Sequence, residues 1–262
     1  RHSFYFINEK YLNKNEVFDA LKKDTAFRSI LPESYLFKNY SMLKMMSQKH
    51  PVIFLKPVTG SLGKGIMRIS RMDQAYAVQF TNINGAQKQV FPSLEKLFTA
   101  ISGKLKSQRY QIQQGLNLIH SGTRPIDFRV LVQKNRLGEW IMTSNVGRIA
   151  GVNHFVSNLA RGGTLSPAKD ALIRSNLRPE QYNVVLAQLR DKAIDIAKGI
   201  EARITGHFAE FGVDMGVDYS GKIWLLEVNS KPSKNDHTQL SENKIRPSVK
   251  HFILYSRYVS GF

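Results

Sequence analysis

Glu227 and Asn229 stand two apart in the apolar run IWLLEVN, and Asp214 lies in the preceding run FGVDMGVD. Alternate residues of a strand share a face, so Glu227 and Asn229 point one way while Leu226 and Val228 point the other. The Ser220-Gly221 pair between the runs predicts a hairpin, which brings Asp214 alongside. Two carboxylates and an amide oxygen at strand ends suit Mg²⁺, a hard cation that takes carboxylates, phosphate oxygens and water. The plain alternative is a solvated hairpin face with a capping asparagine. An acidic residue in an apolar strand is uncommon without a partner, which weakens that alternative.

A second group lies in FLKPVTGSLGKGIMRI, where an apolar strand delivers Lys56 at its end, followed by Gly60, Ser61, Gly63, Lys64 and Gly65. Glycines let backbone N–H groups approach phosphate oxygens, and the two lysines add positive charge. This is not a Walker A loop. The glycine spacing differs, Lys64 is followed by glycine rather than Ser or Thr, and a strand rather than a helix comes next. Alone, the segment reads equally as an ordinary flexible hairpin. A third group, in DFRVLVQK, NVGRIAG and VSNLARGG, comprises Asp127, Arg129, Arg148, Asn158 and Arg161. Arginines at strand ends can neutralise a transferring phosphoryl group and grip a carboxylate, which makes Arg148, Arg161 and Asn158 the candidate catalytic residues. Taken singly, each arginine also resembles the surface arginines of any basic chain.

The elements that must position these groups follow from periodicity. Val17, Phe18 and Leu21 behind Asn13 or Asn15 predict a helix, with a break at Pro32, and Tyr40 to Ser47 predicts a second. VIFLK, IMRIS and YAVQF read as strands around the glycine-rich turn, Leu94 to Leu105 as a helix, and RYQIQQ, FRVLVQK and EWIMTSNVGR as three more strands. Ile149 to Lys169 reads as a polar loop. Beyond it the longest helix carries Leu186, Leu189, Ala193, Ile196, Ala197, Ile200 and Ile204 on one stripe, and Ser248 to Val259 predicts a last helix. The sum is an α+β chain with mostly antiparallel sheets and no internal repeat.

A chain of 262 residues, 42% of them apolar, can bury a full core. No apolar run is long enough to span a membrane, and RHSFYFINEK lacks the order of a signal peptide, so a soluble, cytoplasmic protein is expected. The start at Arg1 suggests an upstream portion. With no cysteine, disulfides and thiolate zinc sites are excluded. A net charge of +18 attracts phosphates, nucleic acids, anionic lipid surfaces or acidic polymers, and does not choose among them.

Taken in order, Lys56 with its glycine-rich loop, Gln113-Gln114-Gly115, Asp127-Phe128-Arg129, Ser157-Asn158 with Arg161-Gly162-Gly163, Val213-Asp214 and Glu227-Val228-Asn229 resemble the ATP-grasp superfamily. The likeness is to the branch containing glutathione synthetase and the ribosomal-protein glutamate ligase. NEKYLNKNEVFDAL and LPESYLF further resemble the YheC/YheD-type endospore coat-associated ATP-grasp proteins, and the similarity runs from about Glu9 to His237.

The resemblance implies two α+β lobes clamping a nucleotide: an N-terminal helical segment over 1–50, a smaller lobe over 51–114 with the glycine-rich loop, and a larger lobe over 115–262 with the metal site. It implies that Lys14, Lys56 and the loop residues Gly60, Ser61, Gly63, Lys64 and Gly65 hold ATP phosphates. Ile112, Gln113, Gln114 and Gly115 would hold adenine at the hinge, and Asp127 would contact ribose. Ser157, Asn158 and Arg161 would form a phosphate-side loop, and Asp214, Glu227 and Asn229 would ligate Mg²⁺ or Mn²⁺. Two departures stand out. Gln114 replaces a frequent glutamate while keeping an acceptor for the adenine amino group, and Ser230-Lys231-Pro232-Ser233-Lys234 replaces a small-Pro-Gly sequence.

The implied activity is ATP-dependent activation of a carboxylate as an acyl phosphate for attack by an amine, on a peptide or anionic polymer of the kind a basic surface attracts. Such chemistry needs no protein nucleophile, in keeping with the lack of cysteine and of a Ser-His-Asp set. His154, His207 and His237 are candidate substrate contacts. One rival is an ATP-binding relative without turnover, associated with the forming spore coat. The other is a basic nucleic-acid-binding protein, which has no helix-turn-helix, zinc-finger or RNA-recognition word in its favour.

Overall fold

A computed structural model describes residues 7–59, 64–82, 85–152, 154, 162–232 and 245–261. Helix α1 (Lys14–Lys22) starts where the Asn13 side chain accepts from the Glu16 N–H, and it buries Val17, Phe18 and Leu21. Asp24 caps α2 (Thr25–Arg28) in the same way. There follow β1 (Ser34–Leu36), α3 (Tyr40–Lys49), β2 (Val52–Pro57), β3 (Met67–Arg71), β4 (Tyr76–Asn82), β5 (Gly85–Phe91), α4 (Leu94–Ser107) and β6 (Tyr110–Gln114). The second half contains β7 (His120–Ser121), β8 (Arg124–Lys134), β9 (Trp140–Ile149), β10 (Thr164–Pro167), α5 (Ala168–Ile173) and α6 (Tyr182–Glu201). It ends with β11 (Glu210–Val217), β12 (Ile223–Asn229) and α7 (Pro247–Ser260).

Two antiparallel sheets carry the chain. The first has spatial order β1-β6-β2-β3-β4-β5. One of its faces, with Ile53, Leu55, Met67, Ile69, Val78 and Ile112, is buried under α3 and α4. The second has order β10-β9-β8-β11-β12, with β7 beside β8. Phe128, Val130, Val213, Met215 and Leu225 of that sheet pack against Leu189, Ile196 and Ile200 of α6. Each fully buried side chain of this kind contributes about 1.5–3 kcal/mol, so the helices fix both sheets from behind and leave the opposite faces to polar residues.

The segment 1–50 is not one unit. α1 and α2 add Val17, Phe18, Leu21 and Phe27 to the larger core, whereas Leu43 and Met46 of α3 belong to the smaller one. The expected loop over 149–169 holds β10 and leads directly into α5, whose short apolar stretch has no periodicity long enough to read. Packing creates that pair: a Cβ on Gly147 of β9 would lie 2.2 Å from the Ala171 Cβ, so only glycine lets α5 seat there. β5, in GAQKQVF, is polar and was invisible to an apolar pattern; it is held by its pairing with β4. A register shift in the β11/β12 hairpin at Asp214/Met215 makes Leu225 the partner of Met215. Leu225 and Val228, rather than Leu226 and Val228, therefore fill the core.

Candidate functional site

On the face of the larger sheet away from α6, alternation places Asp127 and Arg129 of β8, Arg148 of β9, Asp214 of β11, and Glu227 and Asn229 of β12. The register makes Asp127 the partner of Arg148, and Asp214 the partner of both Arg129 and Glu227. Arg129 grips Asp214 with Nε and with Nη2 at 2.8 Å, and Arg148 Nη2 reaches the same carboxylate at 3.1 Å. Arg148 Nε also donates to Asp127 Oδ1 at 2.5 Å. Burial works to raise the Asp214 pKa, but Arg129 and Arg148 outweigh it and hold the carboxyl below its ordinary range. Burial likewise opposes the charge on Arg148, and Asp127 and Asp214 overcome it, so that guanidinium stays protonated. The fork on Asp214 needs space beside β11. A Cβ on Gly212 would lie 3.2 Å from Arg129 Cδ and 2.9 Å from the Pro232 Cβ.

Lys14, at the first turn of α1, sends Nζ to within 3.0 Å of Glu227 Oε1. Lys56 arrives from the smaller lobe at the end of β2, where its Nζ donates to Gln113 Oε1 at 2.5 Å. Burial lowers the Lys56 pKa to about 8, although Glu227, Asp127 and Asp214 across the cleft pull it upward. The polar faces of the two sheets thus confront each other. Lys14, Lys56, Arg129 and Arg148 outnumber Asp127, Asp214 and Glu227 by one charge, so the cluster can take further negative charge.

The chemistry of the donors fits a hard divalent ion: carboxylate oxygens of Asp214 and Glu227 with the amide of Asn229, whose Nδ2 lies 3.5 Å from Asp214 Oδ2. Among the described residues, no group of three His, Asp or Glu could hold a metal on its own. A bound ion would therefore complete its shell with phosphate oxygens and water, and would compete with Arg129, Arg148 and Lys14 for the carboxylates.

The hinge lies where β6 ends. Gly115 N–H donates to Val52 O at 2.7 Å, an approach so close that a Cβ would meet the Val52 side chain at 2.7 Å. Ile112 and Gln113 are buried in the sheet. The Gln114 side-chain Oε1, expected toward an adenine amino group, accepts from Glu33 N–H at 2.7 Å. Asp127, expected at a ribose, accepts from Arg148 Nε in the ligand-free chain. A cleft of about 310 Å³ at the hinge is lined by Gln114, Gly115, Leu116, Asn117, Asp218 and Trp224, among others.

Lys64 is exposed in the turn before β3, and Gly65 there adopts φ +73°. Gly60, Ser61, Gly63, Ser157, Asn158, Arg161 and His237 lie outside the described residues. His207 bonds Tyr255 OH at 2.7 Å on the α7 side of the larger lobe, and the backbone N–H of His154 donates to Gly151 O. Arg68 is the residue the sequence left unmarked. Alternation in IMRIS puts it opposite the buried Met67 and Ile69, but only the register with Phe54 shows that it shares the face of β2 that carries Lys56.

Residues 3–259 match the YheC/D-like ATP-grasp family. The chain belongs to that family. It is 30% identical over 236 residues to the endospore coat-associated protein YheD of Bacillus subtilis (strain 168), covering 88% of this chain and 50% of that protein. It is 24% identical over 239 residues to YheC of the same organism, covering 90% of this chain and 64% of that one. This ATP-grasp chain therefore spans between half and two thirds of the length of those relatives. Its fold is similar to the VanG D-Ala:D-Ser ligase of Enterococcus faecalis, with a TM-score of 0.54 at 15% identity over 86% of this chain and 54% of that one. It is also similar to the C-terminal domain of K. lactis Pby1, an ATP-grasp enzyme interacting with the mRNA decapping enzyme Dcp2 (TM-score 0.52, 14% identity, 98% of this chain, 74% of that one). The two α+β lobes are accordingly an ATP-grasp fold.

Proposed function

We propose that this chain binds Mg·ATP between its lobes and uses it to activate a carboxylate, which an amine then attacks. The supporting observation is the convergence of Lys14, Lys56, Arg129 and Arg148 on Asp214 and Glu227 from both lobes. In this reading the hinge backbone near Gly115 and the adjoining cleft take the base, and Lys56 takes phosphate oxygens. Asp214, Glu227 and Asn229 would hold Mg²⁺, which when bound neutralises charge on the phosphates and orients them. Arg148, fixed by Asp127, faces the charge that spreads over the transferring phosphoryl group, and Arg129, which grips Asp214 in the ligand-free chain, would have to share that carboxylate with a bound ion. The substrate carboxylate oxygen bonds to the γ-phosphorus as ADP leaves. The amine nitrogen then bonds to the acyl carbon, phosphate departs and the nitrogen loses its proton. The names of YheD and YheC suggest a place at the endospore coat for this chain as well.

Calorimetric titration with ATP and Mg²⁺, joined to ADP release across panels of carboxylates and amines, tests the proposal. Glu227→Gln with Asn229→Ala is expected to weaken metal-dependent ATP binding by about tenfold or more and to abolish turnover. Unchanged binding and turnover would remove these residues from the metal site. The grip of two guanidiniums on Asp214 favours a second reading, a nucleotide-binding relative without turnover. Tight Mg·ATP binding with no ADP release on any panel would establish that one.

A further inference from the structure

The cleft wall of the smaller lobe carries a second cation that the metal cluster does not use. Strand register sets Gln113, Phe54, Arg68 and Gln79 side by side across β6, β2, β3 and β4, all on the face away from α3 and α4. Lys56 stands on the same face two residues further along β2, about 7 Å away. Arg68 Nη1 donates to the neutral Gln79 Oε1 at 2.7 Å. Among the described residues no carboxylate pairs with Arg68, and burial alone lowers its pKa. Gln113 is 2% exposed, and its Nε2 has no hydrogen-bond partner among the described residues.

A half-buried guanidinium without a counter-charge, and on the far side of Phe54 in the same row a buried amide donor without an acceptor, are each costly unless an anion completes them. We propose that Arg68, oriented by Gln79 and assisted by Gln113 Nε2, is an anion subsite that takes a phosphate of the bound nucleotide. The inference rests on the nucleotide reading above. The row lies between the hinge contact at Val52 and Lys56, along the line a nucleotide follows from base to metal cluster. None of the carboxylates that pull on Lys56 acts on Arg68, and the hydrogen bond shown for its guanidinium is the one to Gln79.

Calorimetry of the whole chain with ATP, ADP, AMP and adenosine, repeated on Arg68→Met and Arg68→Lys, tests the subsite. Arg68→Met is expected to weaken the phosphate-bearing ligands on the order of tenfold or more and to leave adenosine unchanged, with partial recovery in Arg68→Lys. Its ligand-free melting temperature should match or exceed that of the unaltered chain, because an uncompensated charge has been removed. ATP affinity equal to that of the unaltered chain would overturn the subsite, as would an equal loss for adenosine. Failure of the unaltered chain to bind any nucleotide would overturn the nucleotide reading and the subsite together.

Discussion

Lys56 carries two opposed demands in one side chain. It must be charged to meet phosphate, yet it is desolvated in the cleft, which brings its pKa from 10.5 down to about 8. Nucleotide affinity is therefore expected to be flat below pH 8 and to fall by up to about tenfold per unit above it, as the ammonium loses its proton. Stability of the ligand-free chain moves the other way. The unfolded lysine keeps its proton up to its ordinary pKa, so between about 8 and 10.5 the unfolded state binds more protons and this residue's contribution to stability rises with pH. Lys56→Arg stays charged throughout, and its affinity profile should be flat across the same window. A profile for the unaltered chain that is flat from pH 7 to 10 would show that Lys56 does not meet the nucleotide.

At the scale of elements, the site depends on how closely the helices seat behind the larger sheet. Gly147 is the tightest such point, with a Cβ there meeting the Ala171 Cβ at 2.2 Å. Gly147→Ala is expected to cost about 1–3 kcal/mol in denaturant unfolding, and Ala171→Gly added to it should recover part of that loss. Additive effects would mean that the two positions do not touch. The same strands show what the sequence could tell. Alternation put Glu227 and Asn229 on one face, and the hairpin turn put Asp214 beside them, because a strand's period is fixed locally. The register shift that turns Leu226 out of the core is set by pairing with β11 and leaves no mark in IWLLEVN. The polar β5 and the short α5 were hidden for the same reason, since their hydrogen bonds and packing come from neighbours. Lys14 could be placed only by resemblance. Its ion pair with Glu227 depends on α1 packing into the larger core, a contact between residues more than two hundred positions apart.

At the scale of the whole molecule, two crossings join the lobes, and they lie side by side: the Gln114 N–H donates to Glu33 O at 2.9 Å, and Glu33 N–H donates to the Gln114 side chain. The Glu33 carboxylate is in turn held by Lys49 at 2.6 Å and His50 at 2.9 Å from the end of α3. Such a paired hinge lets one lobe move against the other without breaking either sheet. The smaller lobe has the smaller core, with α3 and α4 alone behind its sheet among the described residues, so it is expected to open first. Hydrogen exchange should accordingly show β3, β4 and β5 exchanging ahead of β8 and β11 in the ligand-free chain. A ligand held by both lobes draws its binding energy from each and stabilises them jointly. Mg·ATP is therefore expected to slow exchange in β2 and β6 and in β11 and β12 at the same ligand concentration. Protection confined to β2 and β6 would mean that the nucleotide sits on the smaller lobe alone, and the carboxylates of the larger lobe would then lose their assigned role.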